Sequence, residues 1–401
     1  MMNAKSMGRF SCALLVGGAQ LGCQPPELIE AGNGVVSGAK PAVAVRNGQA
    51  VATWHRSGQV RFSAYDGASW STPLPFGSGS FPEVAVSDGL AAIVLYGSSS
   101  SLKAVRRVSG GWSSHTLDTG PSFAYGVAME SGGRAAAVWS VSGEVRATIH
   151  EGGSWLPNTV LSTSAAFGGP QVAVNDSGVA FAAWCGQNNR MWGARRVAPG
   201  AWEAASSSAT DCCTAPALDT PGAGISVGVS ASGMAIMVGS TANRVCAKRY
   251  DPGSGWLGTS VIGTPGGDAV GAQVAVNPSG QALVAWNNFS SGGLIKVRAY
   301  DPVSGWASVL TGPGAGSGRL GLGIGSNGDG AVVYRASGAI NAVPFSISSG
   351  TLSDPVTVAS STDTLYYLRV GFDPSEPSQG VSIWQRTGVG AENIWASRLG
   401  I

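Results

Sequence analysis

A step of six residues from a glycine to a large side chain recurs along this chain and constrains its fold more than any other feature. It runs from Gly48 to Trp54, Gly133 to Trp139, Gly178 to Trp184, Gly280 to Trp286 and Gly328 to Tyr334. Looser copies run from Gly89 to Leu95, followed by Tyr96, and from Gly233 to Gly239, and a last one ends at Trp384. These make eight units. The fullest reads Gln273-Val-Ala-Val276-Asn-Pro-Ser-Gly280-Gln-Ala-Leu-Val-Ala-Trp286, then Ile295-Lys-Val-Arg-Ala-Tyr300-Asp-Pro-Val-Ser-Gly-Trp306.

Each unit reads as an antiparallel meander. A small alternating strand such as that of Val43 and Val45 meets an Asn/Asp/Ser-Gly turn, which supplies the positive φ of a tight hairpin. The second strand ends on a large aromatic. The third alternates apolar and polar residues with Arg or Lys outward, and a turn then leads to Trp70, Trp112, Trp155, Trp202, Trp256 or Trp306 at the start of a fourth strand. Val45 to Val86 and Val86 to Val127 both span 41 residues, within the roughly 40–50 of propeller blades. The expected fold is therefore all-β: an eight-bladed β-propeller of four-stranded antiparallel blades, with seven blades as the alternative. The eighth unit stops at its third strand, Ile394 to Leu399, while Glu27 to Ala31 precedes the first unit as an orphan. The N-terminal strand is therefore expected to close the last blade, which spares the ring an exposed edge. The boundaries follow: 1–22 a signal peptide, 23–40 an anchor segment and closing strand, 41–401 the propeller.

Composition agrees with this reading and narrows function. Charged residues make up only 11% of the chain against 61 glycines, which suits turn-rich β structure and argues against a disordered polyelectrolyte. A formal charge of +2 with scattered basic residues lacks the footprint of a nucleic-acid binder.

The N-terminus has the pattern of an export signal, with Lys5 and Arg9 ahead of an apolar run at 10–22 that is too short to span a bilayer. Gln20-Leu21-Gly22-Cys23 resembles the lipobox of bacterial lipoproteins, with Leu one place later than the pattern has it. That resemblance implies lipidation at Cys23, and Gln24 in place of Asp implies sorting to the outer membrane; the alternative is simple secretion. With Cys12 lost in the signal and Cys23 used or removed, four of the six cysteines remain: Cys185, Cys212, Cys213 and Cys246. An even number in an oxidising compartment suggests two disulfides, and pairs such as Cys185 with Cys212 and Cys213 with Cys246 would staple neighbouring blades.

The turn Asp251-Pro-Gly253-Ser-Gly-Trp256 resembles the Asp-box of sialidase-type propellers, with Arg249 standing where that motif has Ser. In that family the turn is structural, and it is read so here. A sialidase-like enzyme would need an arginine cluster, a Tyr/Glu nucleophile pair and an acid, and no such set maps onto the chain. The three histidines, His55, His115 and His150, have no metal-ligand spacing. Neither a catalytic residue, nor a metal site, nor a cofactor is expected.

Partner recognition is expected on the face carrying the hairpins between second and third strands. There lie His55, Arg56, Gln187, Asn188, Asn189, Asn243, Asn287, Asn288, Arg335, Gln385 and Arg386, with Phe289 beside them. Flat amide and guanidinium edges suit hydroxyls or peptides. The functional reading is a non-catalytic, extracytoplasmic binding or scaffold propeller. It would be a monomeric envelope lipoprotein whose partner is an envelope protein or a glycan. A carbohydrate-binding lectin or a sialidase-like glycosidase is the alternative.

Overall fold

A computed structural model describes residues 22–32, 40–108, 111–120, 124–163, 167–213, 224–264, 269–288, 293–314, 320–336, 338–361, 364–373, 379–388 and 391–400. The signal-peptide reading and Phe289 fall outside them. Eight antiparallel sheets follow one another around a ring, each a meander of strands a to d from the inside outward. Eight blades, not seven, is the outcome.

Blade 1 comprises Ala42–Arg46, Gln49–Arg56, Gln59–Tyr65 and Leu74–Ser78, and blade 2 comprises Ser80–Val86, Ala92–Ser98, Ser101–Val108 and Gly111–Thr119. Blade 3 has Ala124–Met129, Ala135–Val141 and Glu144–Glu151 with outer pieces Ser154–Trp155 and Thr159–Ser162. Blade 4 has Phe167–Val174, Ala180–Gly186, Arg190–Arg196 and Ser206–Ser207; blade 5 has Ile225–Val229, Ala235–Thr241, Arg244–Asp251 and Gly255–Gly263. Blade 6 has Ala269–Val276, Ala282–Asn288 and Leu294–Asp301 with Gly305–Trp306 and Leu310–Gly314; blade 7 has Gly321–Ile324, Asp329–Ala336 and Ala339–Ser346 with Thr351–Leu352 and Val356–Ser360. Blade 8 takes Thr364–Phe372, Gln379–Gly388 and Ala391–Gly400 from the C-terminal end of the chain. Its outer strand comes from the N-terminal end: Leu28 pairs with Trp395, and Cys23 with Leu399. The ring closes as expected.

The core lies between blades. Trp54, Trp139, Trp184, Trp286 and Trp384, each ending a strand b or nearly so, are essentially solvent-free. Each fills the widening wedge beside its neighbour, at about 2–3 kcal/mol of apolar burial per ring. On the opposite face the c–d turns repeat one device. Asp66, Asp251 and Asp301 each accept two backbone N–H groups through Oδ1, at 2.8–3.1 Å. The tryptophan that follows then pairs with the tyrosine closing strand c, as Tyr65–Trp70, Tyr250–Trp256 and Tyr300–Trp306 do. His150 takes the tyrosine's place against Trp155 in blade 3.

The inner strands alternate in a way the repeat did not foretell. Strand a of blades 2, 4, 6 and 8 carries a β-bulge, whereas strand a of blades 1, 3, 5 and 7 pairs in unbroken register. Phe81, Gly271 and Tyr367 in these bulges have φ of 54°, 70° and 50°. Just past each bulge stands a large polar residue, Glu83, Gln171, Gln273 or Arg369, and the matching position of the unbulged strands holds Ala42, Gly126, Ser226 or Gly321. The reason is steric. A Cβ on Gly126 would lie 2.9 Å from the Pro170 carbonyl of the next blade, and one on Gly321 would lie 2.3 Å from Val370. Bulged inner strands press on their predecessors, so the predecessors must be small.

Candidate functional site

The b–c hairpins and the connections between blades share one face, and the structure sorts the expected residues there into three groups. Some hold the ring together. Glu30, on the N-terminal closing strand, accepts the Trp54 indole N–H at 2.5 Å and forms ion pairs with Arg61 at 2.8 Å and Arg56 at 3.1 Å. Arg56 also donates to the Ala31 carbonyl. Arg56 is therefore part of the closure latch, and His55 beside it is half-buried, with its pKa lowered by that burial. The same device joins blades 2 and 3, where Asp118 takes the Trp139 indole N–H at 2.7 Å and Arg146 at 3.1 Å.

A second group forms a platform for the disulfides. Gln187, Asn188 and Asn189 make a tight turn with Asn188 and Asn189 at positive φ, which aims the Asn189 carbonyl at two backbone N–H groups, Cys212 and Cys213, each at 2.8 Å. Held by one acceptor, the two adjacent cysteines diverge. Cys213 returns to Cys185 of blade 4, and Cys212 crosses to Cys246 of blade 5, with Cα–Cα distances of 5.7 Å in both. This corrects the expected pairing, which joined each half-cystine to its nearer neighbour in sequence. Two disulfides are present; their connectivity is crossed. Asn243 is exposed in the neighbouring hairpin, whereas Asn287 and Asn288 at the end of strand b of blade 6 are both only 2% exposed.

The third group converges. Arg335, ending strand b of blade 7, sets its guanidinium 5.8 Å from the ring of Tyr366, on the bulged inner strand of blade 8. Tyr366 is 41% exposed, and the Tyr367 ring lies 6.1 Å from it. Gln385, paired with Tyr366 across the ladder, is buried beneath, and Arg386 sits 5.7 Å over Trp395. Two residues expected from the hairpin pattern, Arg335 and Gln385, thus meet at a tyrosine that the pattern missed, while Arg386 lies apart over Trp395. The signal was present in Tyr366-Tyr367, two large rings in succession where the bulges of blades 2 and 6 have Ser80-Phe81 and Val270-Gly271. Only the bulge, with Tyr367 in the left-handed region, turns that anomaly into an exposed ring beside the channel mouth.

The opposite mouth is occupied by a structural network. Arg46 of blade 1 is 8% exposed and donates to Asp88 of blade 2 at 2.7 Å and to Asp176 of blade 4 at 3.0 Å, reaching across the ring. Burial works to raise the Asp176 pKa, but the N–H and hydroxyl of Ser131 and the Arg46 charge outweigh it and hold the carboxyl below its ordinary value. Other a–b turns are joined in the same plane by Asp373 to the Gly48 N–H, Asn175 to the Ser230 carbonyl and Asn277 to the Gly325 carbonyl. This plane holds the blades in a ring. Among the described residues, no group of three His, Cys, Asp or Glu side chains is placed to hold a metal ion.

No sequence family and no curated protein matches this chain in sequence. Solved structures do. The Dos1 propeller is similar over 94% of both chains, at 12% identity and a TM-score of 0.57. The polysaccharide lyase Uly1 is similar over 90% of this chain and 89% of its own, at 10% identity and a TM-score of 0.51. A six-bladed fucose-recognising lectin of Aleuria aurantia is similar over 71% of this chain and 99% of its own, at 14% identity and a TM-score of 0.41. At such identities the likeness is one of fold: all-β, propeller.

Proposed function

We propose that this protein is a non-catalytic binding propeller, exported from the cell, which recognises a glycan on its b–c face. The observation that carries the reading is the cluster at the blade 7–8 junction, where an exposed Tyr366 is flanked by Arg335. An aromatic face that stacks on a sugar ring beside a planar donor that reaches its hydroxyls is the usual chemistry of such sites. The carboxylates near this face support a non-catalytic role, since Glu30, Asp118 and Glu144 are each held by arginine rather than turned on a shared cleft. The Asp-capped turns, degenerate and Asp-box-like, belong to the same reading as scaffold.

Two disulfides favour an oxidising compartment, and no helix among the described residues is long and apolar enough to cross a membrane. A lipid on Cys23, implied by the lipobox-like Gln20-Leu21-Gly22-Cys23, belongs to the same proposal. The Gly22–Cys23 strand pairs with Gly400 and Leu399 at the end of blade 8 remote from Tyr366, so an anchor there would turn the Tyr366 face away from the membrane.

A glycan array tests the function. The protein should bind a defined subset of glycans, and Tyr366→Ala should weaken that binding by roughly tenfold, about the 1–1.5 kcal/mol of one aromatic contact. A blank array, or a variant that binds as well as the parent, would remove the glycan reading. Capture of a single envelope protein in place of any glycan would point to a scaffold instead. Labelled palmitate incorporation that disappears in Cys23→Ala checks the anchor.

A further inference from the structure

The seam where the ring closes holds a cavity of about 560 Å³ on the face opposite Tyr366, walled by the N-terminal segment at Gln24, the last strand at Arg398 and Leu399, and blade 1 at Asn47, Tyr65 and Asp66. The size lies within the range of about 300–1,000 Å³ for small-molecule sites. Its lining mixes apolar side chains, Val45, Val381 and Leu399, with polar ones. Two opposite charges line it without meeting each other, and each has unused capacity. The Arg398 guanidinium lies 5.0 Å over the Tyr65 ring, its enclosed Nε has no acceptor, and its nearest carboxylate is Glu27 at 3.9 Å, beyond hydrogen-bond distance. Asp66 uses Oδ1 for the turn N–H groups of Ala68 and Ser69, while Oδ2 accepts nothing among the described residues.

A guanidinium held over an aromatic ring with more than a third of its side chain exposed can still offer its terminal N–H groups to a planar oxyanion. Asp66 Oδ2 would accept from a hydroxyl, and the side-chain amides of Gln24, Asn47 and Gln49 supply further donors and acceptors around the rim. A ligand with one carboxylate and several hydroxyls matches this set. A small amino acid such as glycine would meet only the Arg398 and Asp66 charges and would leave the rim amides unused.

We propose that the seam cavity binds a carboxylate-bearing sugar of the hexuronate class, its carboxylate on Arg398 and its hydroxyls on Asp66 and the amides. The site is distinct from the Tyr366 cluster and does not depend on that reading. Since its walls come from both ends of the chain and from blade 1, an occupant also ties the ring shut, and binding should raise thermal stability by mass action.

The test is calorimetric titration and thermal melting of the whole protein with D-galacturonate, D-glucuronate, D-galactose, acetate and glycine. A uronate should bind saturably and raise the melting temperature, whereas galactose, acetate and glycine at the same concentration should not. Arg398→Gln and Asp66→Asn should each weaken uronate binding by about tenfold or more, the Asn keeping an oxygen for the turn N–H groups. Val303→Ser, at a 96% exposed position on a neighbouring turn, and Tyr366→Ala should bind it as the parent does. If Arg398→Gln does not fold, Arg398→Lys keeps the charge and the stem but loses the fork, and serves the same comparison. Absence of uronate binding, equal binding of galactose or glycine, or undiminished binding in the Arg398 variants would each overturn the proposal.

Discussion

At the scale of single residues, this propeller relies on a few carboxylates that each satisfy more than one donor. Glu30 takes an indole N–H and two guanidinium groups while only 12% of its side chain is exposed. Glu30→Gln should therefore lower the urea unfolding free energy by about 2 kcal/mol, from lost ion pairs in a half-desolvated site. Glu203→Gln, which breaks an open pair with Arg195, should cost no more than about 0.5 kcal/mol in the same measurement. Protonation gives a second handle. Burial, with Arg106 adding to it, lowers the pKa of His150. The turn N–H groups lower that of Asp66, Gln281 and the turn N–H groups lower that of Asp301, and Ser131 with Arg46 lower that of Asp176. A depressed folded-state pKa gives stability that is complete above the unfolded value and lost as pH falls through the folded one. Stability should thus begin to fall below about pH 6.5 through His150 and His55 and fall again below about pH 4 through the aspartates. His150→Tyr, which restores the residue usual at this position, should diminish the first loss in pH-dependent urea titrations and leave the second.

At the scale of elements, the bulged inner strands set what their neighbours can be. Gly126 faces the Pro170 carbonyl of a bulged strand, a backbone atom that cannot turn aside, and Gly126→Val should destabilise by about 2–3 kcal/mol. Gly258, in strand d of blade 5, meets nothing within 4 Å and is extended, so Gly258→Val should be neutral or slightly stabilising in the same denaturation assay. Tyr125 fixes the first bulge: its hydroxyl donates to the Phe81 carbonyl at 2.5 Å, with the Ser80 carbonyl sharing the same proton at 3.0 Å, and accepts the Gly97 N–H at 2.8 Å. The connection between blades 4 and 5 is another such element. Removing one staple as Cys185→Ser with Cys213→Ser should cost about 3 kcal/mol, since it frees a loop whose ends are 28 residues apart.

At the scale of the molecule, closure decides whether there is one fold or an open array. Strand Ala391–Gly400 would be an edge without Glu27–Glu30, and an unpaired edge recruits other chains. Deletion of residues 22–32 should produce larger species by light scattering than the intact chain gives, with the Trp54 indole and Arg61 left without Glu30. Bulged and unbulged inner strands alternate strictly around the ring, so the working unit is a pair of blades, four pairs to the circle.

The sequence by itself determined the repeat, the blade count, the capped turns and the origin of the closing strand, because each depends on local spacing: a glycine where φ must be positive, an aspartate two residues before the N–H it caps, an aromatic where the wedge between blades widens. The tertiary structure alone decided the rest. Disulfide connectivity depended on which way two adjacent side chains leave a shared anchor at Asn189. Burial separated Asn287, Asn288 and Gln385 from residues of the same type that reach solvent. The bulge at Tyr367 brought the neighbouring Tyr366 to Arg335, and the seam put Arg398 beside Asp66. These juxtapositions join residues tens to hundreds of positions apart, and no local period in the chain encodes a distance across the ring.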